Sequence, residues 1–181
     1  MIGRLERFLA FSSDVTAYSI FELRGTGLAE AYLATVEEVV GRQVLDALLD
    51  TYDAAVAAAD GGGALPDLLR RDLFSDLRLG PIARNLVKMW YVGLWYELPA
   101  AWTDAYGALP RNVAFTVSAA AYTEGLLWPS IGANPPGAKA PGYGSWAQPP
   151  RIPAVPEQTM PYPTGTTTTT TTTTTTRRFR R

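Results

Sequence analysis

Read from its apolar positions, the first two thirds of the chain is a succession of helices. Leu5, Phe8 and Leu9 recur at i, i+3 and i+4 on one face of an opening helix, which Ser12, Ser13 and Asp14 are placed to stop and cap. After the break at Gly25-Thr26-Gly27, Leu28, Tyr32, Val36 and Val39 or Val40 keep helical spacing as far as Gly41, a C-terminal cap. Arg42 to Ala59 carries Val44, Leu45, Leu48, Leu49, Tyr52 and Val56 as one stripe with Asp46, Asp50 and Asp53 beside it, which predicts an amphipathic helix. Asp60-Gly61-Gly62-Gly63 ends it as a loop. Pro66 suits the first turn of the next helix, and Leu69, Leu73 and Leu77 continue it until Gly80-Pro81.

From Ile82 to Glu97 the pattern is strongest. Ile82, Leu86, Met89, Trp90 and Gly93 form a stripe, while Tyr91, Trp95 and Tyr96 make the second half apolar nearly all round, as in a helix buried on most sides or shared with a partner. Pro99, Trp102, Tyr106 and Pro110 punctuate a loop, and the Ala-rich stretch from Val113 to Trp128 predicts a last helix ending at Pro129. No segment alternates with period two, so the expected fold class is all-α, a bundle of five or six helices over residues 1–132. Beyond it, ten of the fourteen prolines lie between Pro129 and Pro163, interleaved with glycines, and exclude helix and central strand. Tyr143, Trp146, Ile152, Val155 and Tyr162 are too apolar for a solvated linker. Residues 133–163 therefore read as an extended, partner-binding arm, with docking onto the chain's own helices as the competing view. Residues 164–181, the Thr166–Thr176 run and a basic end, read as a disordered tail.

Composition narrows the chemistry more than the class. The chain has 181 residues, 47% of them hydrophobic, and neither Cys nor His. Disulfides, Cys-ligated metals, thiol nucleophiles and Ser-His-Asp or Cys-His catalysis are thereby excluded within these residues, leaving carboxylate, Lys or Tyr chemistry, an oxygen-ligated cation, or none. The net charge of −1 includes Arg177, Arg178, Arg180 and Arg181, so the body is mildly acidic and unsuited to nucleic acid. No apolar run is long enough to span a membrane. Met1 to Ser13 reads as an amphipathic helix rather than a secretory signal.

Candidate motifs are few. Gly25-Thr26-Gly27 approaches a dinucleotide loop, but its sixth position is Glu30 and no Val/Ile-rich strand precedes it, so it reads as an interhelical turn. Glu37, Glu38, Asp46, Asp50 and Asp53 could make an acid/base pair or a Ca²⁺ site, yet their helical spacing reads as a solvated face. The aromatic set Trp90-Tyr91, Trp95-Tyr96, Trp102 and Tyr106 reads as a core anchor, an interface hot spot or a carbohydrate-stacking platform.

Four segments carry a family resemblance as an ordered set: FLAFSS at Phe8 to Ser13, FELRGTGLAEAYL at Phe21 to Leu33, MWYVGLW at Met89 to Trp95, and SAAAYTEGLLWPSIGANPPGAKAPGYGSWAQPP at Ser118 to Pro150. Together they resemble the small subunit of membrane-bound FAD-dependent sugar and polyol dehydrogenases, the sorbitol dehydrogenase small subunits above all, with those of fructose and glucose dehydrogenases related. The resemblance implies a non-catalytic accessory subunit that aids folding and export of a large FAD-containing subunit, with a cytochrome c subunit or quinone taking the electrons. It implies no catalytic, cofactor or metal residue in this chain; the partner-binding residues expected from the aromatic pattern and the arm are Trp90, Tyr91, Trp95, Trp128, Tyr143 and Trp146. It also implies a periplasmic place. No Arg-Arg pair precedes an apolar stretch as in a twin-arginine leader, so export by another subunit, a truncated start and a cytoplasmic complex stay open. The alternatives to this function are a helical binding scaffold without redox partners, and a stand-alone enzyme using carboxylates or tyrosines.

Overall fold

The apolar stripes become, in the computed structural model, the inward faces of four long helices. The structure describes residues 3–59, 63–107, 109 and 111–139. The long helices are α1 (Arg4–Thr16), α3 (Ala29–Val40), α4 (Arg42–Ala58) and α6 (Leu79–Val92), of 12 to 17 residues. Between and after them lie α2 (Ile20–Gly25), α5 (Leu65–Leu68), α7 (Ala100–Tyr106), α8 (Ala119–Thr123) and α9 (Leu127–Ser130), of four to seven residues. Strands β1 (Leu94–Trp95) and β2 (Phe115–Thr116) form a single antiparallel pairing among the described residues, with Trp95 opposite Phe115. The fold is thus all-α. Among the described residues the helices outnumber the five or six expected, because α2 and α7 form where no separate helix was read and the stretch from Val113 to Trp128 is broken into shorter pieces. The Asp60-Gly61-Gly62 part of the expected loop, the arm from residue 140 and the threonine tail lie outside the described residues.

Three boundaries differ from the sequence reading, each for a packing reason. First, α1 runs through Ser12 to Thr16, because Ser12 turns inward and its Oγ accepts a 2.9 Å hydrogen bond from Trp90 Nε1. The capping role passes to Ser19, whose Oγ accepts from Glu22 N while the Glu22 carboxylate accepts from Ser19 N at 2.8 Å, the reciprocal box that starts α2. Second, the helix expected to reach Glu97 stops at Gly93, which is left-handed at φ 71°. A Cβ there would lie 2.6 Å from the backbone of Ala121, so α8 packs directly on the end of α6. Third, Val113–Trp128 is not one helix. Val117 N donates to Gly93 O and Leu126 N to Trp90 O, which holds this stretch as strand, helical turn and loop across the end of α6. Pro129 then falls in the first turn of α9, where its missing N–H costs nothing. Trp102 sits on α7 rather than in a loop, its Nε1 donating to Arg78 O at 2.8 Å.

The core is one cluster, with α1 in contact with α2, α3, α4 and α6. Leu45, Leu48, Leu49 and Tyr52 of α4 are buried as the stripe predicts, whereas Val56 is exposed. Leu69 and Leu73 are buried, but the π-helical turn Leu69–Phe74 widens the spacing and leaves Leu77 78% exposed. The acidic stripe of α4 is not merely solvated. Asp46 takes a bidentate pair from Arg4 at 2.7 and 2.9 Å, Glu37 takes the third Arg4 bond at 2.9 Å, and Arg7 reaches Asp50 at 2.6 Å and Asp53 at 2.7 Å. Two arginines thereby fix α1 against α4 in one register, a geometric role larger than the modest stability of exposed pairs.

Two measurements test these contacts. Gly93→Ala should lower unfolding free energy by about 2 kcal/mol or more in urea titration, from left-handed strain plus overlap with Ala121; a variant as stable as the parent contradicts the close approach. Hydrogen bonds from Arg4 hold the Asp46 carboxyl below its ordinary value. Its stabilising contribution is therefore full above the unfolded carboxylate value and is lost as pH falls through the lower folded one. Asp46→Asn should melt about 1–3 °C below the parent at pH 7, with the gap closing below pH 3; a gap independent of pH would break the assignment.

Candidate functional site

The aromatic residues expected to meet a partner divide sharply once the chain is folded. Trp90 and Trp95 are core residues, 1% and 0% exposed, which corrects their assignment to an interface. Trp90 lies on the inward stripe of α6 with Ile82, Leu86 and Met89, and the Gly93 turn ends that helix and carries Trp95 into β1, where its ring is buried. Trp90 stacks with Phe8 at 6.2 Å between ring centres and meets Tyr32 edge-on at 4.8 Å. The Tyr32 hydroxyl and Trp95 Nε1 are buried without a hydrogen-bond partner among the described residues, and burial pushes the Tyr32 phenol far above its usual value. Tyr91 is half-buried, and its hydroxyl donates inward to Thr16 O at 2.9 Å. Tyr143 and Trp146 lie outside the described residues.

Trp128 is half-exposed and edge-on to Tyr122 at 5.4 Å, its Nε1 held by Tyr122 O at 2.6 Å. It borders an open cleft of about 390 Å³ between the α1–α2 corner and the segment from α8 onward. Tyr18, Glu22, Gly25 and Thr26 form one wall, and Glu124 to Leu126, Trp128 and Pro129 form another. Tyr18 joins the two: its hydroxyl lies 2.7 Å from Ser130 Oγ and 3.3 Å from Leu126 O, and its ring meets Tyr91 edge-on. Gly125 allows the second wall to sit this close, since a Cβ there would lie 2.7 Å from Tyr91 O. The Glu22 carboxyl is held below its ordinary value by hydrogen bonds from Ser19, so it stays ionised at the rim. Glu124 at the same rim is paired with Lys139 at 2.6 Å.

None of Tyr18, Glu22, Glu124 and Lys139 stood out in the sequence. The one available signal was Tyr18 before the Ser19–Glu22 capping pattern; its partner Ser130 is 112 residues away and no local pattern pairs them. The Gly25-Thr26-Gly27 segment is an interhelical turn, as read, with Thr26 Oγ1 donating to Leu23 O at 2.7 Å. Among the described residues no His/Cys/Asp/Glu cluster is arranged to hold a metal ion, and no helix is long and apolar enough to cross a membrane. Comparisons of the chain with protein-family models, with curated proteins and with solved structures each return no match.

If Tyr18 is the strut of this cleft, Tyr18→Phe should lower global stability by only about 1 kcal/mol, the usual size of one hydrogen bond. Its larger effect should be local, a loss of amide-exchange protection at Leu126 and Ser130 with α1 and α6 unchanged. Uniform loss across the molecule would deny the strut role.

Proposed function

We propose that the protein is a non-catalytic accessory subunit that binds and steadies a large FAD-containing sugar or polyol dehydrogenase subunit, with the arm and the cleft-side aromatic platform as its partner-facing parts. The observation that carries this reading is the convergence of the four segments of the resemblance. FLAFSS and MWYVGLW meet in the core through the Ser12–Trp90 hydrogen bond. The lining of the cleft, Tyr18 excepted, comes from FELRGTGLAEAYL and from the long segment beginning at Ser118. Segments that are distant in the chain thus serve either one core or one surface feature, as expected when an ordered motif set describes a single binding unit. The partly exposed Tyr122–Trp128 pair beside the cleft supports a protein partner, since Trp and Tyr are the residues that concentrate binding energy.

On this reading the dehydrogenase chemistry, the FAD and any hand-off to a cytochrome c subunit belong to the partner, and the complex works on the periplasmic side. The test is co-expression with a large flavoprotein subunit of this dehydrogenase class. The two chains should co-purify in equal amounts, the isolated small chain should carry no flavin absorbance and oxidise no sugar, and Trp146→Ala should weaken the complex about tenfold. Flavin or turnover in the isolated chain, or failure of the two to associate, sinks the proposal.

A further inference from the structure

The charges at the cleft do not balance. Of the residues that line it, three are charged: Glu22, Glu124 and Lys139. The chain pairs two of them with each other. Pro135 to Ala138 is a tight turn, Ala138 N donating to Pro135 O at 3.2 Å with Gly137 left-handed at φ 74°, and after it Lys139 reaches Glu124 at 2.6 Å. Glu22 keeps its charge uncompensated, since no Lys or Arg pairs with it among the described residues and the nearby Arg24 is bonded to Glu6 instead. Its carboxylate is also only half used. Ser19 N and Ser19 Oγ both donate to Oε2, at 2.8 and 2.7 Å, while Oε1 accepts no hydrogen bond among the described residues. The two bonds favour the ionised form and fix where the group stands.

The other wall holds Trp128. Its indole N–H is tied to Tyr122 O at 2.6 Å and Tyr122 meets it edge-on, so the ring is set in place before anything binds. Aromatic faces attract cations, and Trp does so most strongly. A fixed carboxylate and a fixed indole bordering one cleft of about 390 Å³ therefore call for a cation that can use both. Arginine meets that demand: its planar guanidinium stacks on a ring, its N–H groups fork onto a carboxylate, and it is more weakly hydrated than an ammonium. Leu126 and Pro129 supply apolar surface for the stem of such a side chain. The volume is at the small end for ligand pockets, the scale of one side chain rather than of a folded element.

We propose that the cleft is the docking site for one arginine side chain of the partner protein, its guanidinium between the Glu22 carboxylate and the Trp128 ring and its stem against Leu126 and Pro129. The identity of that partner rests on the accessory-subunit reading; the chemistry of the site does not.

The chemistry is tested on the full chain alone with a capped Ala-Arg-Ala peptide, following the Trp128 indole signal in N–H correlation spectra. The peptide should shift that signal saturably. The same peptide with citrulline, which keeps the shape and loses the charge, should bind about tenfold more weakly, and the lysine peptide should also bind less tightly. Glu22→Gln should cost about the same factor with the rest of the spectrum in place, because Gln completes the capping box at Ser19 as Glu does. No saturable shift, an arginine peptide that binds no better than the citrulline or lysine one, or full affinity in Glu22→Gln overturns the proposal. Co-expression with the large flavoprotein subunit tests the partner separately, and there Glu22→Gln should weaken the complex about tenfold. A complex of undiminished affinity takes the partner's arginine out of the cleft. If neither the parent nor the variant forms a complex, the accessory-subunit reading falls and the peptide result still decides the site.

Discussion

The structure depends on the burial of Trp90 at the end of α6. Its ring fills the space between Phe8 and Tyr32, its indole N–H is satisfied by Ser12, and its own carbonyl receives Leu126 N. A ring of this size buries some 150–250 Å² of surface, and here it joins α1, α3 and α6 at one point. The N–H–to–Ser12 bond matters because a buried donor left without a partner costs about 1–3 kcal/mol. That requirement explains why α1 cannot end at Ser12 and why a serine, not an apolar residue, faces the core there.

From this anchor the rest of the molecule is built outward by satisfying the end of α6. A helix leaves its last carbonyls without internal partners, and in this protein the carbonyls of Trp90 and Gly93 are taken by amides from residues 117 to 126. The close approach needs no side chain at Gly93 and Gly125. The aromatic-rich stretch after α6 is thus the cover of the core, and the cleft is the seam where that cover meets the α1–α2 corner. Tyr18 and its bond to Ser130 hold the seam.

The charged residues tell a complementary story. Arg4 and Arg7 engage four carboxylates between them, setting the register of α1 on α3 and α4. The acidic residues that could be imagined as a catalytic pair or a cation site are occupied with guanidinium groups instead. Their chemistry is structural, and it leaves Glu22 and Glu124 at the cleft as the carboxylates nearest a place where another molecule or segment can sit.

Local periodicity was enough to define α1, α3, α4 and α6, because each buries a continuous stripe whose 3.6-residue spacing is written in the order of the residues. The interhelical turn at Gly25-Thr26-Gly27 and the cap at Gly41 were legible for the same reason, being set by residues within one turn of each other. The Gly93 stop, the broken stretch from Val113 to Trp128 and the inward turn of Ser12 were not, since each is decided by a contact between segments 24 to 78 positions apart that overrides a good local helix pattern. The aromatic pairs showed the same limit: composition marked Trp90, Trp95 and Trp128 alike, the apolar stripe of α6 accounts for the burial of Trp90, and only the backbone path after Gly93 determined that Trp95 is core and Trp128 half-exposed. The cleft was beyond reach of the sequence altogether, because its walls come from two ends of the folded body and exist only where tertiary packing brings Tyr18 to Ser130.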